Sequence, residues 1–233
     1  MNVVLFDLDD TLLDYSSRVE ESWAHAVRTC CTDGRVESAA LVAALLESRR
    51  WFWDDPERQR ERTNMTRAWA TIVRRALDTV GAPYHDLVDH IVGAYDGHRR
   101  QVMDLFPEAR ATLERLRRQG IPLGLITNGD ARQQRDKIER HGLAPYFDVM
   151  VIEGEFGAGK PDAVVFRHAL DALGARAADT SMVGDNLVND VGGAGQLGIR
   201  TVWIDRARAG LPPESPARPD HIIASLTELH DLG

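Results

Sequence analysis

The chain has 233 residues, 43% of them hydrophobic, with 28 basic against 36 acidic side chains and a formal charge of -8. That acidic balance argues against a nucleic-acid partner, which needs a net basic face to displace counterions, so any anionic substrate must be held by a local site. No run of about 18 apolar residues and no basic leader with an apolar stretch occurs, and the adjacent Cys30 and Cys31 are ill placed for an ordinary bridge, so no membrane partner and a reducing cytoplasm are expected.

The segment "NVVLFDLDDTLLD" begins with Val3, Val4, Leu5 and Phe6, apolar on both alternating faces as a central parallel strand requires. Asp7 then falls at the carboxyl end, with Asp9, Asp10 and Asp14 close behind. From residue 16 to 103 the pattern is helical: Val19, Trp23, Ala26, Val27 and Cys30 share one face, and so do Met65, Trp69, Ile72, Val73, Ala76, Leu77 and Val80. Leu41 to Trp53 and Leu87 to Tyr95 read as further helices of a small bundle.

After Phe106-Pro107 strands and helices alternate: a helix over 108–118, a strand "IPLGLIT", a helix over 131–141 capped by Asp130, and a strand over 149–152. There follow a helix over 162–173, a strand "TSMVGD", a helix over 189–197, the strand "IRTVWI", a Pro-rich loop over 206–219 and a short strand "HIIA". This order predicts an α/β fold, a doubly wound parallel sheet made by residues 1–15 and 104–233, with an all-helical cap domain, 16–103, inserted after the first strand.

In such sheets ligands gather outside the carboxyl ends of the strands. The polar residues there are Asp7, Asp9 and Thr11, then Thr127-Asn128-Gly129, Lys160, and Asp185 with Asp190. Crowded carboxylates repel one another, and a folded site tolerates them mainly by sharing a cation or a proton. Hydrolysis of a phosphomonoester needs acceleration by as much as about 10²¹-fold, roughly 29 kcal/mol, which no single residue supplies. A divalent cation held by Asp7, Asp185 and the backbone carbonyl of Asp9, all hard oxygen ligands that favour Mg²⁺, could neutralise phosphoryl oxygens. Asp7 could then attack phosphorus, and Asp9 could protonate the leaving alkoxide and later deprotonate water. Thr127, the amides of Asn128 and Gly129, and Thr11 make up the phosphate-binding set, and Lys160 adds a positive charge. Lys160 is one of only two lysines, with Lys137, in a chain that otherwise uses Arg, and it stands where a compact point charge is useful.

Together "FDLDDT", "LITNG", "GKPD" and "VGDNLVND" resemble, in order and spacing, the four motifs of the haloacid dehalogenase (HAD) superfamily, in the branch with a helical cap inserted after the first motif. The resemblance implies a Rossmann-like core, Mg²⁺ and an aspartyl-enzyme intermediate. In it Asp7 matches the nucleophile, Asp9 the acid/base, Thr127 the phosphate-binding hydroxyl, Lys160 the third-motif lysine and Asp185 the metal carboxylate. Asp190 matches a supporting carboxylate that orders metal-bound water or Lys160. Ala163, where relatives often carry Pro, bears only on the start of a helix. It also implies a cap that moves about residues 14–18 and 103–107.

The superfamily's dehalogenases lack an acid at the position of Asp9, so Asp9 favours a phosphatase or a phosphomutase over a dehalogenase. Its hexose-phosphate mutases usually carry Gly where Asp10 stands, which tilts the reading to a phosphatase. The expected partner is therefore a small phosphorylated metabolite of unspecified identity, handled by a monomer or a homodimer. A phospho-accepting signalling protein, which also places Asp, Thr and Lys at strand ends, would leave Asp9 and the helical insertion without a purpose. "SRRWFWDDPERQRER", over 48–62, reads as cap core beneath a charged face, the sharper alternative being that Trp51, Trp53 or nearby arginines close over a leaving group. The eight histidines show no metal spacing.

Overall fold

The computed structural model describes residues 2–232, and it divides into two compact units, Met1–Asp14 with Asp104–Gly233 and, between them, Tyr15–Met103. In the first unit six strands form one parallel sheet: β1 Val3–Phe6, β2 Leu123–Thr127, β3 Val149–Ile152, β4 Thr180–Gly184, β5 Arg200–Ile204 and β6 His221–Ile223. Their spatial order is β3-β2-β1-β4-β5-β6. Every residue of β1, β2 and β4 is buried, as near-continuous apolar runs covered on both faces require.

The order places β1 between β2 and β4, with Phe6 in register with Leu125 on one side and Val183 on the other. After β1 the chain builds β2 and β3 outward on one side, then returns to build β4, β5 and β6 on the other. Such a reversal of strand order opens a crevice at the strands' carboxyl ends. Asp7, the end of β2 and the end of β4 converge there.

The second unit packs α1 Val19–Cys30, α2 Ser38–Trp53, α4 Met65–Thr79 and α5 Val88–Val102 around one apolar core, with α3 Pro56–Gln59 as a single turn. Trp23 stacks on Tyr95 at 3.6 Å between ring centroids, and Trp69 meets the same ring edge-on. The aromatics of 48–62 are committed to this unit. Phe52 is in its core, and the guanidinium groups of Arg58 and Arg75 lie over the Trp51 ring, 3.9 and 4.4 Å from its centroid. Arg58 also donates to the Trp51 carbonyl.

In the sheet unit the two segments that border the insertion run side by side: Asp14 N donates to Asp104 O and Phe106 N to Leu12 O, both at 2.9 Å. Arg206 locks this seam. Its guanidinium stacks 3.3 Å over the Phe106 ring, pairs with Glu108 and donates to the Thr11 carbonyl. The helices α6 Ala109–Arg118, α7 Ala131–Arg140, α8 Glu153–Phe156 and α9 Ala163–Ala172 complete the unit. Asp130 caps α7 by accepting from Gln133 N, and Asp162 caps α9 by accepting from Val164 N.

The helix expected over 189–197 differs. A wide helical turn begins at Leu187, runs to Gly192 and continues into Gly193–Gly195. Its cap is Asn186, whose side chain accepts from Val188 N and Asn189 N, which leaves Asp190 inside the turn with its carboxylate turned elsewhere. Among the described residues no helix is long and apolar enough to cross a membrane.

Candidate active site

β1 delivers Asp7 to the crevice, where its amide donates to Val183 O at 2.9 Å and so ties the strand end to β4. The chain then turns sharply: Leu12 N and Leu13 N both donate to Leu8 O, and Asp10 N to Leu13 O. Asp10 sits in the left-handed region at φ 59°, a conformation that aspartate tolerates and most side chains do not. Either glycine or aspartate meets that need, so position 10 reports a turn and does not separate a mutase from a phosphatase.

The end of β4 supplies Asp185, whose carbonyl accepts from Trp203 Nε1 of β5 at 2.7 Å. Asp190 is buried with both oxygens used, Oδ2 accepting from Asn186 N at 2.9 Å and Oδ1 from Lys160 Nζ at 2.6 Å. Its carboxylate lies against the backbone of Gly184, where a Cβ would stand 2.6 Å from Asp190 Cβ. Only a residue without a side chain lets the two approach this closely.

Lys160, 2% exposed, donates to Asp7 Oδ1 and to Asp190 Oδ1, both at 2.6 Å. Its backbone is framed by the Asn128 side chain: Lys160 N donates to Asn128 Oδ1, and Asn128 Nδ2 donates to Lys160 O. The Asn128 amide thus anchors the loop that presents the ammonium, a role distinct from the backbone contact expected of it.

Asp7, Asp185 and Asp190 bring carboxylate oxygens within 4.8 Å of one another. Burial raises the Asp7 carboxyl to about 7, the pull of Lys160 offsetting this only in part while Asp190 adds to it. Burial, followed by the charges of Asp7 and Asp190, raises Asp185 to about 9. Burial opposes the charge on Lys160, but Asp190 and Asp7 outweigh it and hold the ammonium above the usual lysine range. Lys160 pairs with Asp7 and Asp190 but not with Asp185, so when all three carboxylates are ionised the negative charge is in excess. An oxygen-only donor set with excess negative charge fits a hard divalent cation.

The shifts have a measurable consequence. Both carboxyls hold protons more tightly folded than unfolded, so the folded chain binds more protons above pH 4 and stability falls as pH rises towards the folded values. His98 and His141, whose pKa values burial lowers, act in the opposite sense but only below pH 7. Between pH 7 and 9 the melting temperature of the metal-free protein is therefore expected to drop, by up to about 1.4 kcal/mol of stability per pH unit per proton. Added Mg²⁺ should raise the melting temperature more at pH 9 than at pH 7, and a melting series with and without chelator reads both effects.

Asp9 stands apart from the acidic trio. Its carboxylate accepts from Lys137 Nζ at 2.9 Å (Oδ1) and 2.8 Å (Oδ2), and from Gln134 Nε2 at 3.0 Å. Gln134 Nε2 also donates to Thr127 Oγ1 at 2.6 Å. Lys137 and Gln134 carried no role in the sequence reading. The scarcity of lysine that singles out Lys160 applies equally to Lys137 and was the available signal.

Two members of the expected phosphate-binding set are placed otherwise. The Gly129 amide donates to Glu153 Oε2 at 2.8 Å, because Gly154 brings the turn after β3 hard against Gly129 and Ala131. The Thr11 hydroxyl is closed off from solvent without a hydrogen-bond partner, and Thr11 takes part through its carbonyl, held by Arg206. Thr127 and Asn128 remain beside Lys160 and Asp9.

A family model for haloacid dehalogenase-like hydrolases matches residues 1–198. Among characterised relatives, a phosphoserine phosphatase of Thermus thermophilus is 43% identical over 169 residues, a match that spans 70% of this chain and 66% of that protein. A ribulose-1,5-bisphosphate 5-phosphatase of Halopiger xanaduensis is 32% identical over 98% of both chains. Among solved structures, the HAD-hydrolase YfnB of Bacillus subtilis, determined bound to magnesium, superposes with a TM-score of 0.77 over 99% of this chain and 97% of that one, at 23% identity.

Proposed function

Since the chain belongs to the haloacid dehalogenase-like hydrolase family, we propose that it hydrolyses a small phosphomonoester metabolite, with Asp7 as nucleophile, Asp9 as acid and base, and Mg²⁺ as cofactor. The observation that carries this reading is the separation of two carboxylate environments at the end of one strand. Asp7 lies in the buried trio beside Lys160, whereas Asp9, two residues on, is held by a different cation. A nucleophile and a proton carrier need such different surroundings.

Asp7 and Asp185, with the Asp9 carbonyl, would hold the metal, with Asp190 supporting them through Lys160; when bound, the metal would neutralise phosphoryl oxygens and relieve the repulsion between carboxylate and substrate. An oxygen of Asp7 attacks phosphorus and forms an acyl phosphate as the ester bond breaks, and Asp9 gives its proton to the departing alkoxide. Asp9 then takes a proton from water, whose oxygen attacks the same phosphorus, releasing phosphate and restoring Asp7. The Thr127 hydroxyl and the backbone N–H of Asn128 would donate to the phosphoryl oxygens, and Lys160 balances their charge.

A departing halide needs no proton, so a dehalogenase would leave Asp9 idle. Phosphoserine and ribulose bisphosphate, the substrates named for two relatives, share only the phosphomonoester, and that shared group is the extent of the substrate assignment. Cys30 and Cys31 are free thiols, in keeping with a cytoplasmic setting.

The test is phosphate release from a panel of alkyl phosphates and p-nitrophenyl phosphate, with Mg²⁺ and with chelator. Metal-dependent release of phosphate from at least one ester supports the reading. Isomerised sugar phosphates without release would make the enzyme a mutase, and no turnover of any kind would remove the hydrolase assignment.

A further inference from the structure

We propose that Lys137 and Gln134 are positioning residues for Asp9, a clamp on α7 that aims the proton-transferring carboxyl at the leaving oxygen and joins it to the Thr127 hydroxyl. The proposal rests on the phosphatase reading above. Lys137 Nζ contacts both oxygens of Asp9 at 2.9 and 2.8 Å, which fixes the plane of the carboxyl group, and it also donates to Gln134 Oε1 at 2.7 Å. Gln134 Nε2 in turn reaches Asp9 Oδ2 and Thr127 Oγ1. Two groups from separate parts of the chain, Asp9 after β1 and Thr127 at the end of β2, are thereby tied to one turn of one helix.

The composition of α7 argues that this arrangement serves more than packing. Its buried face consists of Gln134, Lys137 and Ile138. Gln134 is 2% exposed and the Lys137 side chain 6%. Burying an ammonium costs several kcal/mol unless its partners are well placed, and apolar residues of similar volume commonly stabilise such a position as well or better. A helix that only needed to cover the sheet would fill these positions with leucine.

The geometry also keeps the two carboxylate functions separate. Asp9 is drawn towards α7, while Asp7 is drawn towards Lys160. Without Lys137 the Asp9 carboxyl would be able to turn towards the acidic trio, where it could bind the metal rather than meet an alkoxide.

A purely structural ion pair and a positioning clamp differ in how they respond to the leaving group. p-Nitrophenolate departs without protonation, whereas an alkoxide needs the acid. We therefore compare kcat/KM, which reports events through the first irreversible step, for p-nitrophenyl phosphate and for the best alkyl phosphate of the panel, in wild type, Lys137→Met and Lys137→Gln. The ratio of the two values on one sample does not depend on the fraction of protein correctly folded, so partial misfolding of a variant does not blur the outcome. General acid catalysis is worth about 10²- to 10⁴-fold, and misaiming the acid is expected to lower kcat/KM for the alkyl ester by about 10- to 100-fold with a change several times smaller for the aryl ester. In an Asp9→Asn background the Lys137→Met change should add little further loss, since the group it positions is gone. Equal losses on both esters, an unchanged ratio, or a full additional loss in the Asp9→Asn background would each overturn the clamp. If wild type hydrolyses neither ester, the phosphatase reading itself fails and the clamp falls with it. If wild type hydrolyses both and the ratio stays fixed, only the clamp fails.

Discussion

Asp7→Asn is expected to abolish phosphate release, by about 10⁴-fold or more, while leaving the protein folded. Asparagine preserves the volume at a position that is only 7% exposed, so no cavity opens. It removes the nucleophile and one of the two carboxylates that share the Lys160 ammonium. Lys160 keeps Asp190 as a partner at 2.6 Å, so the buried cation is not stranded. Because Asp7 is raised to about 7 in the native state, its ionisation works against folding above that pH, and removing it should leave the melting temperature at pH 8 unchanged or higher in the metal-free protein. The same change should weaken stabilisation by Mg²⁺. An inactive enzyme that melts no lower than wild type separates a chemical role for Asp7 from a structural one, and phosphate release with parallel melting curves measures both.

Lys160→Met is expected to have the second largest effect, acting on activity and stability together. For activity, removing one electrostatic donor to a developing phosphoryl charge costs about 10²- to 10³-fold. For stability, taking one partner out of a buried ionic group costs about 3–5 kcal/mol, because the charges left behind have neither water nor a counterion. The sign with pH follows from the same linkage. Without the ammonium, which pulls the Asp7 carboxyl down, Asp7 holds its proton more readily in the folded state, so the variant should be least affected near pH 6 and most affected near pH 9. Mg²⁺ should recover part of the lost stability and little of the activity, since it replaces the charge but not the placement of the ammonium. A uniform loss of stability across this pH range would show that Lys160 is held by packing rather than by charge.

Much of this site is legible in the sequence because strand ends concentrate it. Val3 to Phe6 announce a buried strand through apolar residues on both faces, and the parallel sheet then fixes where Asp7, Thr127, Lys160 and Asp185 must gather. What escaped the reading is polar and buried. Gln134 and Lys137 lie in "ARQQRDKIER", whose hydropathy suits an exposed helix, so periodicity cannot separate the buried polar face from the solvated one. Their partner Asp9 lies more than a hundred residues away in the chain, a separation that no local pattern records. The Asn128 side chain and Trp203 Nε1 act by hydrogen-bonding to the backbone of Lys160 and Asp185, and a backbone acceptor leaves no trace in residue identity. Gly184 shows the converse: its role is to be without a side chain where Asp190 must approach, which becomes apparent only when the two are seen together.

The central claim, hydrolysis through a phosphorylated Asp7, is tested most directly by rapid acid quenching of wild type mixed with a turned-over phosphomonoester and Mg²⁺, followed by mass spectrometry of the peptide that spans Asp7. The expected result is one phosphoryl group on Asp7, acid-stable but released by hydroxylamine, absent with chelator and absent in Asp7→Asn. Phosphate release that proceeds with no acyl phosphate at any time point, and that persists in Asp7→Asn, would contradict it.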